Sequence, residues 1–215
     1  MLNYLKTFSF QVGLPYILLL LSCLMFDEAM KISWINTEPY IRALLDNFGH
    51  AFIACLSWLA TVGVSRRGII QGIGCGVLAS AVDIDHFFWA KSFSLQEVLS
   101  LSSRPPLHST SILIPLLPLV SILSYNYASL SILPFMVTVS VITHHLRDGV
   151  RRGLWFWPMN STPVLPYWIY LLVIMLLPML TSVVQHKTCV NNTIHTWNCV
   201  IAQKMVHNTY VLRCT

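Results

Sequence analysis

Charged residues are scarce in this sequence of 215 residues. Asp, Glu, Lys and Arg together make up 10% of the chain, against about 25% in a typical soluble domain. This shortage excludes a soluble globule, a disordered chain and a coiled coil, since each needs a large polar or charged surface. The 9 glycines are too few for a collagen-like repeat. Apolar residue types make up 55% of the chain and the mean hydropathy is +0.66, so the composition predicts an integral membrane protein.

Long uncharged stretches separate the few charges and indicate the number of membrane crossings. A crossing needs about 20 mostly apolar residues. We therefore predict an all-α, multi-pass transmembrane helical bundle, with one domain over residues 1–186 and a polar tail over 187–215. If the first apolar stretch is instead a cleaved signal peptide, five spans remain. The six predicted spans lie near residues 8–26, 48–64, 69–90, 107–124, 128–146 and 165–184.

The His, Asp and Glu residues are concentrated in four short segments. The chain has 8 His and 8 acidic residues, and nine of these lie in segments 46–50, 83–86, 103–108 and 144–148. Ionisable side chains in apolar surroundings are costly in a bilayer, so their presence indicates a function. The nine residues are Asp46, His50, Asp83, Asp85, His86, His108, His144, His145 and Asp148.

Topology predicts that the four segments share one membrane face. A chain that crosses at every span alternates faces, so the start of spans two and four lies with the end of spans three and five. Imidazole and carboxylate together suit Zn, Mn or Fe, and facing helices of a bundle commonly hold such ions. Three pairs have the spacing that projects both side chains from one side of a helix. They are Asp46 and His50, Asp83 and His86, and His144 and Asp148.

We therefore predict a divalent metal site at one end of the bundle, and a general base in Asp83 or Asp85 if either is not a ligand. Structural roles remain open for some residues: Asp46 as the cap of the following helix, and His145 as a residue facing neighbouring helices. Buried His and Asp pairs would otherwise be hydrogen bonds between helices. The predicted ligands are Asp83, Asp85, His86, His108, His144 and Asp148, with His50 as a further candidate.

Basic residues adjoin the predicted site. Arg104, Arg147 and Arg151 are candidates for binding a substrate phosphate through charge-assisted hydrogen bonds. The alternative is that these arginines only keep the adjoining loops on the cytoplasmic side of the membrane. The motif face has seven Lys and Arg residues and the other face has four, which predicts that the motif face is cytoplasmic. The net charge of +5 lies in loops, which predicts contact with anionic lipids and no nucleic acid.

The six cysteines contain no C-x-x-C metal pattern. Cys189, Cys199 and Cys214 lie in the predicted tail and would pair only in an oxidising compartment. Glycosylation sequons begin at Asn160 and Asn191.

Four ordered motifs resemble those of a bacterial inner-membrane family, the LexA-regulated, membrane-bound metal-dependent hydrolases. That pattern runs D-x-D-H, H-R-x-x-T-H-S, H-x-x-x-D and W-P. The resemblance implies that a metal-activated water attacks an ester, amide or phosphoester of a membrane-embedded or interfacial substrate. The matching segments are Asp83-Ile-Asp-His86, Arg104-Pro-Pro-Leu-His108-Ser109, His144-His-Leu-Arg-Asp148 and Trp157-Pro158.

Over nearly its whole length the chain is more closely similar to the eukaryotic transmembrane protein 267 family, which implies a membrane protein without an established reaction. Where the hydrolases have His, this chain has Ser103, which favours a non-catalytic adaptor or assembly factor as the second candidate. A transporter ranks third because transport sites usually lie near the membrane midplane. The shared elements are Asp46-Asn-x-x-His50, Val82-Asp-x-Asp-His86, Arg104-Pro-x-Leu-His108 and His144-His-x-Arg-Asp148-Gly149.

Overall fold

The computed structural model describes the backbone over residues 2–127 and 130–195, and the side chains over 13–188 apart from 126, 128 and 129. Within these ranges the chain is helical and has no β-sheet, only isolated bridges at Trp155, so the all-α prediction is confirmed there. The helices are α1 (Leu2–Ala29), α2 (Ser33–Thr37), α3 (Pro39–Val62), α4 (Arg66–Ala81), α5 (Asp85–Ala90), α6 (Leu95–Leu99), α7 (Leu113–Asn126), α8 (Leu133–Arg152) and α9 (Tyr167–His195). Single 3-10 turns occupy Val82–Ile84, Pro106–His108 and Thr110–Ile112.

Three of the described helical stretches are long and apolar enough to cross a membrane: Pro39–Val62, Arg66–Ala90 and Tyr167–Thr188. Thr110–Tyr125 is apolar but shorter. Helix α8 has 20 residues, and its second half carries histidines and arginines that make it polar. These apolar helices indicate that the chain is an integral membrane protein. The total of six spans stays a prediction.

Several helix boundaries differ from those of the predicted spans. Helix α3 begins with Pro39 at its first position, about nine residues before the predicted span, because proline is favoured where the helix N–H needs no partner. Asp46 therefore lies inside α3, and the cap predicted for it is wrong. His108 lies in a 3-10 turn before α7 rather than in a span. Helix α9 continues to His195, so the start of the predicted polar tail is helical.

Helices α3 and α4 pack closely because small residues face the neighbouring backbone. A Cβ atom on Gly76 would lie 2.6 Å from the Ala51 carbonyl oxygen, and one on Gly72 would lie 3.2 Å from the Cys55 carbonyl oxygen. Close approach of this kind is typical of membrane helices with small residues at their interface. The close packing of α3 against α4 therefore depends on glycine at these two positions.

Helix α8 lies in the centre of the bundle, where it packs on α3, α4, α7 and α9. Its apolar first half contributes Met136 and Val139 to a core with Trp58, Cys75 and Ala79. A second core joins α1, α3 and α9 to Leu146 of α8. Since α3 and α8 take part in both cores, their packing fixes the relative positions of the polar residues that follow.

Candidate metal centre

Side chains from four elements converge at one end of the bundle. The two ring nitrogens His108 Nε2 and His144 Nε2 lie 3.2 Å apart. Asp83 Oδ1 lies 3.2 Å from His108 Nε2, and Asp148 Oδ2 lies 3.6 Å from His144 Nε2. His50 Nε2 lies 3.5 Å from Asp148 Oδ1. Together with Asp46 and His86, these five residues form four overlapping triads in which each donor atom is within 4.8 Å of the others: His50, Asp83 and His144; Asp83, His86 and His108; His108, His144 and Asp148; and Asp46, His50 and Asp148.

The imidazoles are the deep part of this group and the carboxylates lie nearer the surface. The side chains of His50 and His144 are 2% and 0% exposed, whereas that of Asp148 is 24% exposed. The rings of His50 and His144 stack with their centres 3.9 Å apart. Nitrogen donors therefore face the protein interior, and the oxygen donors face the side from which an ion or a substrate would enter.

A helix end fixes the orientation of His144. Its Nδ1 lies 3.0 Å from the carbonyl oxygen of Ala79, which is in the last turn of α4, where carbonyls lack the regular helical partner. The Nδ1–H therefore donates to this carbonyl, and the lone pair of Nε2 points at His108 and Asp83. This is the arrangement in which a histidine is usually prepared to bind a metal.

His145, its neighbour in α8, faces the other way. Its Nε2 lies 2.9 Å from the carbonyl oxygen of Leu107, to which it donates. The ring thereby supports the 3-10 turn that carries His108. The prediction that His145 points away from the site and contacts a neighbouring segment is confirmed.

The carboxylates are oriented by further hydrogen bonds. Asn47 Nδ2 donates to Asp83 Oδ2 over 2.9 Å, which leaves Asp83 Oδ1 facing His108. The amide of Asn47 is itself held by the Ser80 hydroxyl and carbonyl groups. Asn47 was not among the predicted site residues, although it stands next to Asp46 in the first motif.

Asp85 supports histidines instead of facing the centre. Its Oδ2 accepts the backbone N–H of Leu107 over 2.7 Å. Its Oδ1 lies 3.3 Å from Nδ1 of both His86 and His108. Asp85 is thus placed to orient these two rings, and His86, with its Nδ1 3.9 Å from Asp83 Oδ1, lies at the edge of the group.

His108 lies outside the membrane-spanning helices, and its ionisation depends on two opposing effects. Burial lowers the pKa of the imidazole, but the carboxylates of Asp83 and Asp85, 3.2 and 3.3 Å from its ring nitrogens, outweigh burial and raise the pKa to about 9. His108 is therefore a cation at neutral pH, and its Nε2–H donates to Asp83. Because a metal binds neutral imidazole, it would have to displace this proton.

The donor set fits a metal ion. Ligands about 2.0 to 2.1 Å from a tetrahedral zinc ion are about 3.3 Å from one another, close to the 3.2 Å between the ring nitrogens of His108 and His144. In the described part of the chain, several buried polar atoms also lack a hydrogen-bond partner. Those in this group are Nδ1 of His50, His86 and His108, and Oδ1 of Asp85.

An ion-pair network extends from the centre into the bundle. Arg147 is 1% exposed, donates to the carboxylate of Asp46, and has its Nε 3.4 Å from Asp27 Oδ1. Arg151 donates to Asp46 Oδ2 and to Asp148 Oδ1, both over 2.8 Å. The guanidinium groups of Arg147 and Arg151 are therefore bound to protein carboxylates. Sequence reasoning missed Asp27, because nothing in the sequence links α1 to the motifs.

Arg104 is anchored differently. Its two terminal nitrogens donate to the backbone carbonyls of Arg152 and Gly153 at the end of α8. It lines a pocket that also reaches His108 and Asp148. Of the three arginines predicted to bind substrate, Arg104 is the one whose guanidinium contacts no carboxylate in the described residues.

Curated proteins similar to this chain share one name. Transmembrane protein 267 of Danio rerio is 35% identical over 178 residues, which cover 81% of this chain and 80% of the relative. The Xenopus laevis protein is 35% identical over 86% of this chain and 87% of its own length, and the Mus musculus protein is 36% identical over 80% and 82%. The chain belongs to the transmembrane protein 267 family. No family model and no solved structure matches the chain.

The position at which this transmembrane protein 267 family member departs from the bacterial hydrolases has a local partner. Ser103 is exposed, and its Oγ accepts a hydrogen bond from Trp89 Nε1 over 2.9 Å. The comparisons give no support to the more distant resemblance to those hydrolases.

Proposed function

We propose that this member of the transmembrane protein 267 family binds a divalent transition metal, Zn, Mn or Fe, and uses it to hydrolyse a membrane-embedded or interfacial substrate. The ligands would be His50, Asp83, His108, His144 and Asp148. The observation that carries this proposal is the convergence of these side chains from four elements, with ring nitrogens as little as 3.2 Å apart. Ion-pair and hydrogen-bond partners already orient Asp83, Asp148 and His144, as is usual around metal ligands.

The chemistry of such a site is divided between the ion and the chain. When bound, the ion would supply Lewis-acid chemistry, which activates water and polarises the bond to be broken. His86 lines the adjoining pocket and lies 3.3 Å from Asp85. We assign the acceptance of a proton from the nucleophilic water to this pair, in place of the role that the sequence predicted for Asp83 or Asp85 alone.

The location of the site supports a lipid or interfacial substrate. Asp83 and His108 lie in 3-10 turns outside the long helices, and Asp148, which also lines the adjoining pocket, lies near the end of α8. His50 and His144 lie deeper, along α3 and α8. An ion pathway would be expected nearer the midplane, so transport remains the third candidate. We place this face on the cytoplasmic side because Lys and Arg are more numerous there.

A non-catalytic adaptor or assembly factor is the second candidate, and the state of His108 favours it. A cationic His108 held by Asp83 and Asp85 joins three helical elements through ion pairs without any metal. Ser103, bonded to Trp89, adds no ligand. On this account the buried His and Asp residues stabilise the bundle, and the binding partner would be another protein.

Metal content of the purified protein tests the proposal. Full-length protein in mild detergent would be compared with Asp148→Asn and His144→Gln, two variants close in size to the native side chains. We expect about one ion per chain in the wild type and a loss in both variants. His186→Gln, an exposed histidine on α9, is the matched control and keeps the metal. Equal and substoichiometric metal in all four proteins would overturn the proposal in favour of the adaptor.

A protein that holds the metal can then be tested for hydrolysis. Phospholipid and carboxylic ester substrates in mixed micelles would be incubated with wild type and His86→Gln. We expect turnover by the wild type and a large loss in the variant at unchanged metal content. Metal binding without turnover of the phospholipid or the carboxylic ester would support the metal centre but overturn the hydrolase assignment.

A further inference from the structure

A pocket beside the proposed metal centre is lined both by His and Asp side chains and by arginines. His86, His108 and Asp148 line it together with Arg104 and Arg152. The cavity volume is about 20 Å³, well below the range for drug-sized ligands. It suits a compact polar group rather than a large ligand.

The two arginines retain hydrogen-bonding capacity toward this pocket. A guanidinium has five N–H donors, and the hydrogen bonds of Arg104 to the end of α8 use one on each of its terminal nitrogens. Arg152 is exposed, and its guanidinium has no hydrogen bond or ion pair with another described residue. Both groups can therefore bind an additional acceptor without breaking a contact.

The positive charges of Arg104 and Arg152 are close enough to affect one another. Burial lowers the pKa of Arg104, and the nearby charge of Arg152 lowers it further, while Asp148 opposes the change. The Asp148 carboxylate is already paired with Arg151. An anion between Arg104 and Arg152 would relieve their repulsion, and forked guanidinium donors match the oxygens of a phosphate.

We propose that this pocket is a phosphate subsite, in which Arg104 and Arg152 bind the phosphate of the substrate beside the metal centre. The inference rests on the proposed function, since it names the substrate class of that same site: a phosphate ester. It assigns phosphate binding to Arg152 in place of Arg147 and Arg151, because those two arginines are bound to Asp46 and Asp148.

The surroundings of the pocket favour a lipid as the carrier of the phosphate. Phe88, Trp89 and Phe93 on and after α5 are 77%, 48% and 96% exposed, and Lys91 lies among them. Aromatic and basic side chains of this kind concentrate at the membrane interface, where lipid phosphates lie. The pocket would hold the headgroup phosphate while the acyl chains remain in the bilayer.

Binding of two phosphate probes tests the inference. Full-length protein in detergent would be titrated calorimetrically with inorganic phosphate and with short-chain phosphatidic acid, and its metal content measured in the same samples. We expect binding of phosphatidic acid and a loss of affinity of about tenfold in Arg152→Gln, since a hydrogen bond between charged groups is removed. Arg42→Gln removes an exposed arginine from α3, near the same end of the bundle, and should bind as the wild type does.

The outcomes separate the source of the phosphate from the existence of the subsite. Tighter binding of phosphatidic acid than of phosphate identifies a lipid, and equal affinities identify a soluble phosphate ester; both support the subsite if Arg152→Gln weakens them. Equal affinities of wild type and Arg152→Gln, or an equal loss in Arg42→Gln, overturn it. Wild type that holds metal but binds neither probe overturns this inference alone. Wild type without metal overturns the proposed function, and the effect of Arg152→Gln on phosphate binding still decides the subsite.

Discussion

The two halves of α8 differ in what holds them in place. The first half packs Met136 and Val139 against Trp58 and Cys75, and burial of apolar surface stabilises it. The second half buries His144 and Arg147, whose burial is costly unless each polar group finds a partner. One helix thus joins an apolar region, whose stability depends on close packing, to a polar region, whose stability depends on charge pairing. Since an apolar second half would stabilise a bundle at least as well, the polar residues indicate a function beyond stability.

The largest expected effect comes from removing the central charge of the polar region. Arg147→Met would leave the carboxylates of Asp46 and Asp27 without their buried partner. Breaking a buried ion pair by removing one member costs about 3 to 5 kcal/mol. Denaturant unfolding in detergent measures the change. Arg67→Met, an exposed arginine at the start of α4, should change stability little, and an equally small effect of Arg147→Met would show that the network contributes nothing.

Crowding the apolar region tests its dependence on shape. A methyl group on Gly76 would meet the Ala51 carbonyl oxygen at 2.6 Å, so Gly76→Ala must separate α3 from α4. Overpacking of this kind costs about 1 to 3 kcal/mol. Gly13→Ala, where nothing lies within 4 Å, is the control in the unfolding measurement. The folded Gly76→Ala protein should keep its metal content, and a complete loss of metal would mean that the two regions are not separable.

A smaller change in the polar region separates support of the ligands from support of the fold. Asn47→Ala removes the donor to Asp83 Oδ2 but leaves every proposed ligand in place. Loss of such an orienting partner lowers metal affinity about 10- to 100-fold. Competition with a chelating indicator dye measures the affinity. Unchanged affinity would mean that Asp83 needs no orientation, or that it is not a ligand.

The sequence predicted the polar region better than the helix boundaries around it. Alternation of faces and spacings of three and four residues were sufficient to bring together His50, Asp83, His108, His144 and Asp148, because both follow from helix geometry alone. The boundary predictions assumed that charges end helices, and this assumption failed at Asp46, which Arg147 and Arg151 neutralise inside the bundle. Such pairing between distant helices leaves no mark on local composition.

Other contributions had no signal in the sequence. The carbonyl of Ala79 orients His144, and any residue type at position 79 would offer the same oxygen. The contact exists because α4 changes to a 3-10 turn near Ala81, next to α8. The pairing of Arg147 with Asp27 depends on how α1 packs on α3. Hydropathy locates helices but not their packing order, so these partners could not be predicted.

The smallest expected effect tests whether the residue that differs from the bacterial pattern matters. Ser103 is exposed and its hydroxyl accepts from Trp89, so Ser103→His removes one surface hydrogen bond and should change the free energy of unfolding by at most about 0.5 kcal/mol. Metal content should stay at the wild-type value, because the hydrogen bond of Ser103 goes to Trp89 and not to a proposed ligand. Ser103→Ala controls for the lost hydroxyl. A second ion bound by Ser103→His alone would show that position 103 reaches the centre, and that the serine had removed one site of a two-metal arrangement.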